Sequence, residues 1–424
     1  MSNSAAPAAQ RSLLDVRVTP AREQYLAVPS GVLVQVLVDV RPTAENLGGP
    51  PIDLRLVVDA SGSMRETVPS GEEKIRVVGE GLVEAARLLT PRDHSMLVFF
   101  HLAHTVAVAH GRSQRALVQQ IVEQAQNRKA DGGTHFAGAL EAALHPTVVK
   151  DDTQTRLVFF TDGNNQGHDD SLATIEWARR SRQLNIPWCV YATGEDYNWS
   201  FLEQLVAQAG PGSYLFHVSD PTALAGHLVS EMALLRQVAV DRLVITGKTN
   251  GAKLKRVIAF MPAERSVEND GFTFRDDSGA LDVSRGQRLL IEFFVPTPTV
   301  GRRVPLQLTL AGRSVAQGLP TFSMDIDVPI TFIDDPLSTV VRTVHPEVVR
   351  VEHLLRASAM AKAGRFDDAA TAFQRAGDPA AAEHMTNLGA RATRGHTVDA
   401  TRDATSFSAT TMLPRSPKPP QSNP

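Results

Sequence analysis

Valine recurs at every second position through Val32, Val34, Val36, Val38 and Val40, with Gln35 and Asp39 on the opposite face. That alternation predicts a half-buried strand, within a strand-forming stretch over 15–42 that ends before Gly48-Gly49-Pro50-Pro51. Beyond this break the rhythm changes. Apolar runs of strand length are predicted at 52–58, 95–100, 105–109, 157–161, 188–193 and 213–218. Stretches of helical period are predicted at 72–89, 114–126, 136–144, 172–184, 200–209 and 221–237. Such alternation implies a doubly wound α/β sheet. The short turn at Leu102-Ala103-His104 implies one antiparallel edge strand.

From 238 to 333 the long helices vanish. Short strands are predicted at 243–246, 255–260, 289–295, 304–310 and 322–328, with turns at Asn269-Asp270-Gly271 and Asp277-Ser278-Gly279 between them. This pattern reads as a β-sandwich. The strands at 15–42 are too few to bury a core by themselves. They are therefore expected to join the sandwich, which makes the α/β domain an insertion. Helical period returns over 347–393, where the run Ala361 to Phe373 resembles half of a tetratricopeptide-like helix pair. One such unit cannot bury its own face, so it should dock on the sandwich or on another copy. The expected organisation is a disordered 1–12, N-terminal sandwich strands 13–45, an α/β domain 50–237, the rest of the sandwich 238–335, a helical segment 340–395 and a disordered Ser/Thr/Pro-rich tail 396–424.

Candidate chemistry gathers in the α/β segment. Asp59-Ala60-Ser61-Gly62-Ser63 follows the strand at 52–58 and places a carboxylate and two hydroxyls at alternate positions. Hard oxygens of this kind suit Mg²⁺, or Mn²⁺ and Ca²⁺, and not a soft metal. Alone, D-x-S-x-S is also an ordinary turn sequence. Two further segments change that balance. Asp131-Gly132-Gly133-Thr134 precedes the helix predicted at 136–144, and the strand at 157–161 ends in Thr161-Asp162-Gly163.

D-x-S-x-S, G-G-T and T-D-G, in this order and on these elements, resemble the metal-ion-dependent adhesion site of the von Willebrand factor type A family, over roughly residues 50–236. The resemblance implies that Ser61 and Ser63 bind the metal directly, that Thr134 does so in one state, and that Asp59 and Asp162 hold metal-bound waters or approach the ion. With two carboxylates for charge, the ion would stay electrophilic and accept a partner's Asp or Glu as its missing ligand. Ligands of doubly wound sheets bind outside the strand carboxyl ends, and all five residues fall there. His135, Asn164 and His168 are candidates for a partner-selecting rim. The simpler reading of 164–170, and the one preferred on the residues alone, is a solvated loop in which Asp169 or Asp170 caps the following helix.

The chain has 424 residues, 42% of them hydrophobic, which accommodates two or three globular domains. A formal net charge of -3 supplies no basic footprint for nucleic acid. The single cysteine, Cys189, excludes an internal disulfide framework and reads as a buried, inert thiol. Residues 1–10 lack the apolar core of a secretory signal, and no apolar stretch is long enough to cross a bilayer. The protein is therefore expected to be cytoplasmic, without membrane insertion. Gly247-Lys248-Thr249 lacks the earlier glycine of a phosphate-binding loop and is expected to be a turn. In the tail, Phe407, Met412 and Leu413 stand among Thr405, Thr410 and Thr411. Leu413 lies three residues after Thr410, the spacing read by forkhead-associated domains, so such a domain or a Ser/Thr kinase is a candidate partner there, the preferred alternative being a featureless tail.

The function these observations imply is a non-enzymatic scaffold that binds a protein carboxylate through Mg²⁺. The alternatives are a metal-dependent hydrolase, with His135 and His168 beside the ion, and a scaffold whose metal is purely structural. Against the hydrolase, no pair at fixed spacing resembles a base and its orienting group.

Overall fold

The computed structural model describes residues 13–43, 51–67, 71–145, 153–161, 167–193, 198–218, 224–261, 264–282, 286–315, 321–394 and 400–401. Asp162, Asn164, Thr405, Thr410 and Thr411 lie outside these. The chain divides into two compact units, one of residues 46–238 and one of residues 1–45 with 239–424.

Three strands precede the inserted unit: β1 (Leu14–Pro20), β2 (Gln24–Leu26) and β3 (Val32–Pro42). The inserted unit then runs β4 (Ile52–Asp59), α1 (Lys74–Arg87), β5 (His94–Phe100), β6 (His104–Arg112), α2 (Arg115–Asn127), α3 (Ala137–Leu144), β7 (Gln154–Thr161), α4 (His168–Gln183), β8 (Trp188–Thr193), α5 (Trp199–Ala209), β9 (Tyr214–Val218) and α6 (Leu224–Leu235). Its sheet has the order β6-β5-β4-β7-β8-β9. All pairings are parallel except that of β6, which returns antiparallel to β5 through a short turn. The topology reverses direction between β4 and β7, which places the switch point at their carboxyl ends.

Every residue of β4 is buried, because both faces of the sheet are covered. Leu54, Leu56 and Val58 pack against Ile75, Val78 and Leu82 of α1, Ile121 of α2 and Met232 of α6. Val57 packs on the other face with Leu140 of α3, Ala178 of α4 and Leu202 of α5. Asp53 and Arg55 share the second face, and both are fully buried. Arg55 Nη2 lies 2.6 Å from Asp53 Oδ2, Arg55 also donates to the Ala143 carbonyl, and His110 Nε2 lies 3.1 Å from Asp53 Oδ1. Burial pushes the Asp53 carboxyl up. The His110 hydrogen bond and the Arg55 charge outweigh it and hold the carboxyl below its ordinary value.

After the inserted unit come β10 (Val238–Thr249), β11 (Lys253–Met261), β12 (Arg265–Ser266), β13 (Thr273–Asp282), β14 (Gln287–Val295), β15 (Gly301–Ser314) and β16 (Phe322–Ile333). They form two sheets with the N-terminal strands, β1-β3-β14-β11-β12 and β13-β10-β15-β16-β2. Strand β3 pairs antiparallel with β14 from Val40↔Gln287 to Val32↔Val295. Val34, Val36, Val38 and Val40 are fully buried, in one core with Ile245, Leu308 and Val328. The valine alternation thus faces the sandwich interior.

Two turn expectations fail. Gly247-Lys248-Thr249 closes strand β10, where a side chain at Gly247 would run into the Phe274 ring. Asp277-Ser278-Gly279 lies inside β13. Gly279 takes a left-handed φ of 75° there, and Ser278 donates to the buried Asp276 at 2.6 Å. A glycine irregularity within one strand imitates a turn in sequence.

The chain continues as α7 (Thr339–Arg342), α8 (Pro346–Lys362), α9 (Phe366–Arg375) and α10 (Pro379–Thr393). Val348, Val351 and Leu355 of α8 pack on Ala21, Leu37, Phe260 and Leu290, so the helical segment docks on the sandwich. Behind them, Ala361, Phe366, Phe373, Met385 and Leu388 form a separate small core.

Candidate metal centre

The register that pairs Val58 with Phe160 brings the next residues, Asp59 and Thr161, side by side at the sheet's carboxyl edge. Asp59 is wholly buried and both its oxygens are engaged. Oδ1 accepts from the Ser61 backbone N–H at 2.8 Å, and Oδ2 accepts from the Thr161 hydroxyl at 2.9 Å. The chain then turns into a 3-10 helix, Gly62–Arg65, with Met64 fully buried as its anchor. This turn sets Ser61 Oγ and Ser63 Oγ 3.1 Å apart. Ser61 is 1% exposed, whereas Ser63 opens to solvent.

The second loop is stitched to the first. Asp131 N donates to Ala60 O at 2.7 Å, and Gly62 N donates to Gly132 O at 2.8 Å. Arg65 adds a side-chain clamp, donating from Nε to Ala130 O at 2.6 Å and reaching Asp131 Oδ1 at 3.0 Å. Gly132 has φ +78°, and a side chain there would crowd the His101 ring, so the second position of D-G-G-T requires glycine on two grounds. Thr134 follows, 5% exposed. Phe136 then plugs into the core at 5.4 Å from Phe100 and 5.1 Å from Phe159, edge to face with both. The loop bearing Thr134 is thus pinned at both ends.

The spacing of the two serine hydroxyls fits Mg²⁺. Two neighbouring oxygens of an octahedron with bonds of about 2.1 Å stand about 3.0 Å apart, which matches the separation of the two serine hydroxyls. Asp59, Ser61, Ser63 and Thr134 are all hard oxygen donors of the kind this ion takes. Among the described residues, no three His, Cys, Asp or Glu side chains form a group able to hold a metal. The candidate set is of a different, hydroxyl-rich kind.

Residues 54–165 match the family model of the von Willebrand factor type A domain. The chain contains a von Willebrand factor type A domain. Similar solved structures include the von Willebrand factor type A protein from Catenulispora acidiphila, at 15% identity and TM-score 0.69, over 89% of this chain and 90% of that one. The ArnB paralog VWA2 from Sulfolobus acidocaldarius matches at 15% identity and TM-score 0.58, over 95% and 98%. The human COPII-coat protein Sec24c matches at 11% identity and TM-score 0.53, over 87% and 58%. At such identities the likeness is one of fold. A sequence comparison with curated proteins gives no match.

Of the rim candidates, His135 is half-buried, and its backbone N–H donates to the His101 carbonyl at 2.8 Å. His168 is the exposed first residue of α4. Asp169 and Asp170 are not the caps of their own helix. They lie inside its first turn, and Gly167 precedes it without a side-chain cap. Asp170 instead accepts from Phe136 N at 2.8 Å and Ala137 N at 3.1 Å, at the start of α3. The sequence reading also gave Thr161 and Arg65 no role. The hydroxyl of Thr161, at the last position of a strand beside Asp59, was a visible signal once the register was known. Arg65 carried none.

No helix among the described residues is long and apolar enough to cross a membrane. Cys189 is buried, and burial pushes its thiol well above the usual range.

Proposed function

We propose that this chain is a non-enzymatic, metal-dependent protein-binding scaffold. Its domain would hold Mg²⁺, or alternatively Mn²⁺ or Ca²⁺, through Ser61, Ser63 and Thr134, with Asp59 and Asp162 acting directly or through water. The bound ion would supply an electrophilic position that an Asp or Glu of the partner fills. The observation that carries this reading is the buried Asp59, fixed at the switch point beside two serine hydroxyls 3.1 Å apart, one buried and one open to solvent. The open side suits an incoming carboxylate. His135, Asn164 and His168 would form the rim that selects among partners.

The sandwich and docked helices would carry this module and add a second surface, in complex assembly or signalling within the cytoplasm. The tail, with Thr410 foremost and Thr405 and Thr411 as further acceptors, would recruit a forkhead-associated domain protein or a Ser/Thr kinase. Phosphate there adds roughly -1.5 to -2 charge and strong acceptor oxygens. Binding of phosphorylated and plain peptides spanning 404–415 tests the tail, and equal binding would reduce it to a linker.

Affinity capture from native lysate with the wild-type chain and with Asp59→Ala, each in Mg²⁺ and in EDTA, tests the main reading. A partner retained only by the wild-type chain in Mg²⁺ is expected. Equal capture under all four conditions would sink the reading. Mg²⁺- or Mn²⁺-dependent phosphatase or esterase turnover that vanishes in Asp59→Ala would replace the scaffold with the hydrolase.

A further inference from the structure

Helix α3 begins immediately after the Thr134 loop and supplies no side-chain cap for itself. Its first turn also contains no acidic residue. The missing carboxylate comes from another element. Asp170, in the first turn of α4, places Oδ2 at 2.8 Å from Phe136 N and Oδ1 at 3.1 Å from Ala137 N. Both oxygens of one carboxylate thus close the backbone donors at the start of α3, where the helix dipole also favours negative charge.

From this geometry we infer that Asp170 is the positioning residue for Thr134. Phe136 is two residues beyond Thr134 and receives the shorter of the two bonds. Its ring is already packed between Phe100 and Phe159, so the carboxylate fixes the remaining freedom, the angle at which the chain leaves the loop and enters the helix. Thr134 sits between this clamp and the Gly62–Gly132 stitch. The backbone that carries Thr134 is therefore held from both sides. The clamp also joins the first turn of α4 to the start of α3. The inference rests on the metal reading proposed above and adds to it a residue that touches neither the metal nor the partner.

The experiment compares Mn²⁺ and Mg²⁺ affinity by calorimetry in the full chain and in Asp170→Ala, Asp170→Asn and Asp169→Ala. A lost cap of this kind corresponds to an affinity loss of about 3- to 30-fold. That loss is expected for Asp170→Ala. Asp170→Asn keeps one oxygen acceptor without the charge but turns its NH2 toward the other backbone N–H, so it should recover only part of the affinity. Such recovery separates positioning from a simple electrostatic pull on the cation. Asp169→Ala, an exposed neighbour, should leave affinity unchanged.

Backbone amide signals of the metal-free protein give a readout independent of the ion. The signals of Thr134 and His135 should shift in Asp170→Ala and stay in place in Asp169→Ala. Wild-type affinity in Asp170→Ala, or an equal loss in Asp170→Asn and Asp170→Ala, overturns the positioning role while leaving the metal site standing. A wild-type chain that binds neither ion overturns the metal reading itself and this inference with it. If Asp170→Ala does not fold, Asp170→Asn decides. Shifted Thr134 and His135 signals with a partial loss of affinity in that variant support the inference, and wild-type amide positions with wild-type affinity overturn it.

Discussion

Thr161 donates its hydroxyl to Asp59 at 2.9 Å across the β4–β7 pair, and the Ser61 backbone holds the other carboxylate oxygen at 2.8 Å. The carboxylate is thereby fixed from two sides in a fully buried position. Replacing Thr161 by valine preserves shape and removes one donor from a buried acceptor, which costs about 1–3 kcal/mol. Thr161→Val should therefore lower metal-free stability by that amount in urea unfolding, and Thr161→Ser should restore most of it. An unchanged midpoint in the valine variant would mean that this hydrogen bond is dispensable.

The metal assignment is tested at the hydroxyls and the carboxylate separately. Asp59→Ala, and Ser61→Ala combined with Ser63→Ala, should each abolish Mg²⁺ or Mn²⁺ binding in calorimetry while circular dichroism reports an intact fold. The serine pair is the cleaner probe, because Asp59 also organises the local backbone. Unchanged affinity in either variant contradicts the ligand set, and unfolding of the serine double variant would favour a structural metal.

The sequence disclosed the architecture wherever hydrophobic period and burial agreed. The valines of β3 announced their own face, and the apolar runs of β4 and β7 announced strands covered on both sides. It singled out the serines and Thr134 as candidate ligands because three short motifs stood on the expected elements. It did not disclose Asp170, whose acidic pair before a helix suggests a local cap. The carboxylate instead serves a helix that starts 33 residues earlier, and no local pattern encodes that reach. Nor did it disclose Arg55, which interrupts an apolar strand and finds its partner Asp53 two positions away on the same buried face. Gly279 misled for a physical reason, since a positive φ serves a turn and an irregular strand equally.

Arg55 and Asp53 supply a prediction with a definite sign in pH. Arg55→Met leaves Asp53 buried without its guanidinium partner, a change of about 3–5 kcal/mol. The folded-state carboxyl of Asp53 lies below its ordinary value. Its contribution is therefore fully present above the unfolded value of about 3.9, and it is lost as pH falls through the lower folded value. The stability gap between wild type and Arg55→Met should be constant while Asp53 is ionised in both folded proteins and narrow in acid, beginning where the variant's Asp53, raised by burial without its guanidinium, takes up its proton. Urea unfolding of both proteins across that range gives the measurement, and a gap that widens in acid would reverse the assignment.

Strand β3 lies between β1 and β14, and its valines fill the sandwich core. A fragment of residues 238–333 would lack this strand, would uncover the whole β14 edge from Gln287 to Val295, and would expose apolar surface on both sides of the core. Such an edge is a template for aggregation, so the fragment should be insoluble or show a collapsed amide spectrum. Residues 50–237, whose sheet is covered by helices on both faces, should fold alone with dispersed amide signals. Residues 13–43 joined by a flexible Gly/Ser linker to 239–394 should fold as well, because that chain restores the β3–β14 pair and keeps α8 on its sheet. Success of the linked chain and failure of 238–333 together identify β3 as the missing piece. A well-dispersed spectrum from 238–333 alone would show that the sandwich does not depend on the strands that precede the insertion.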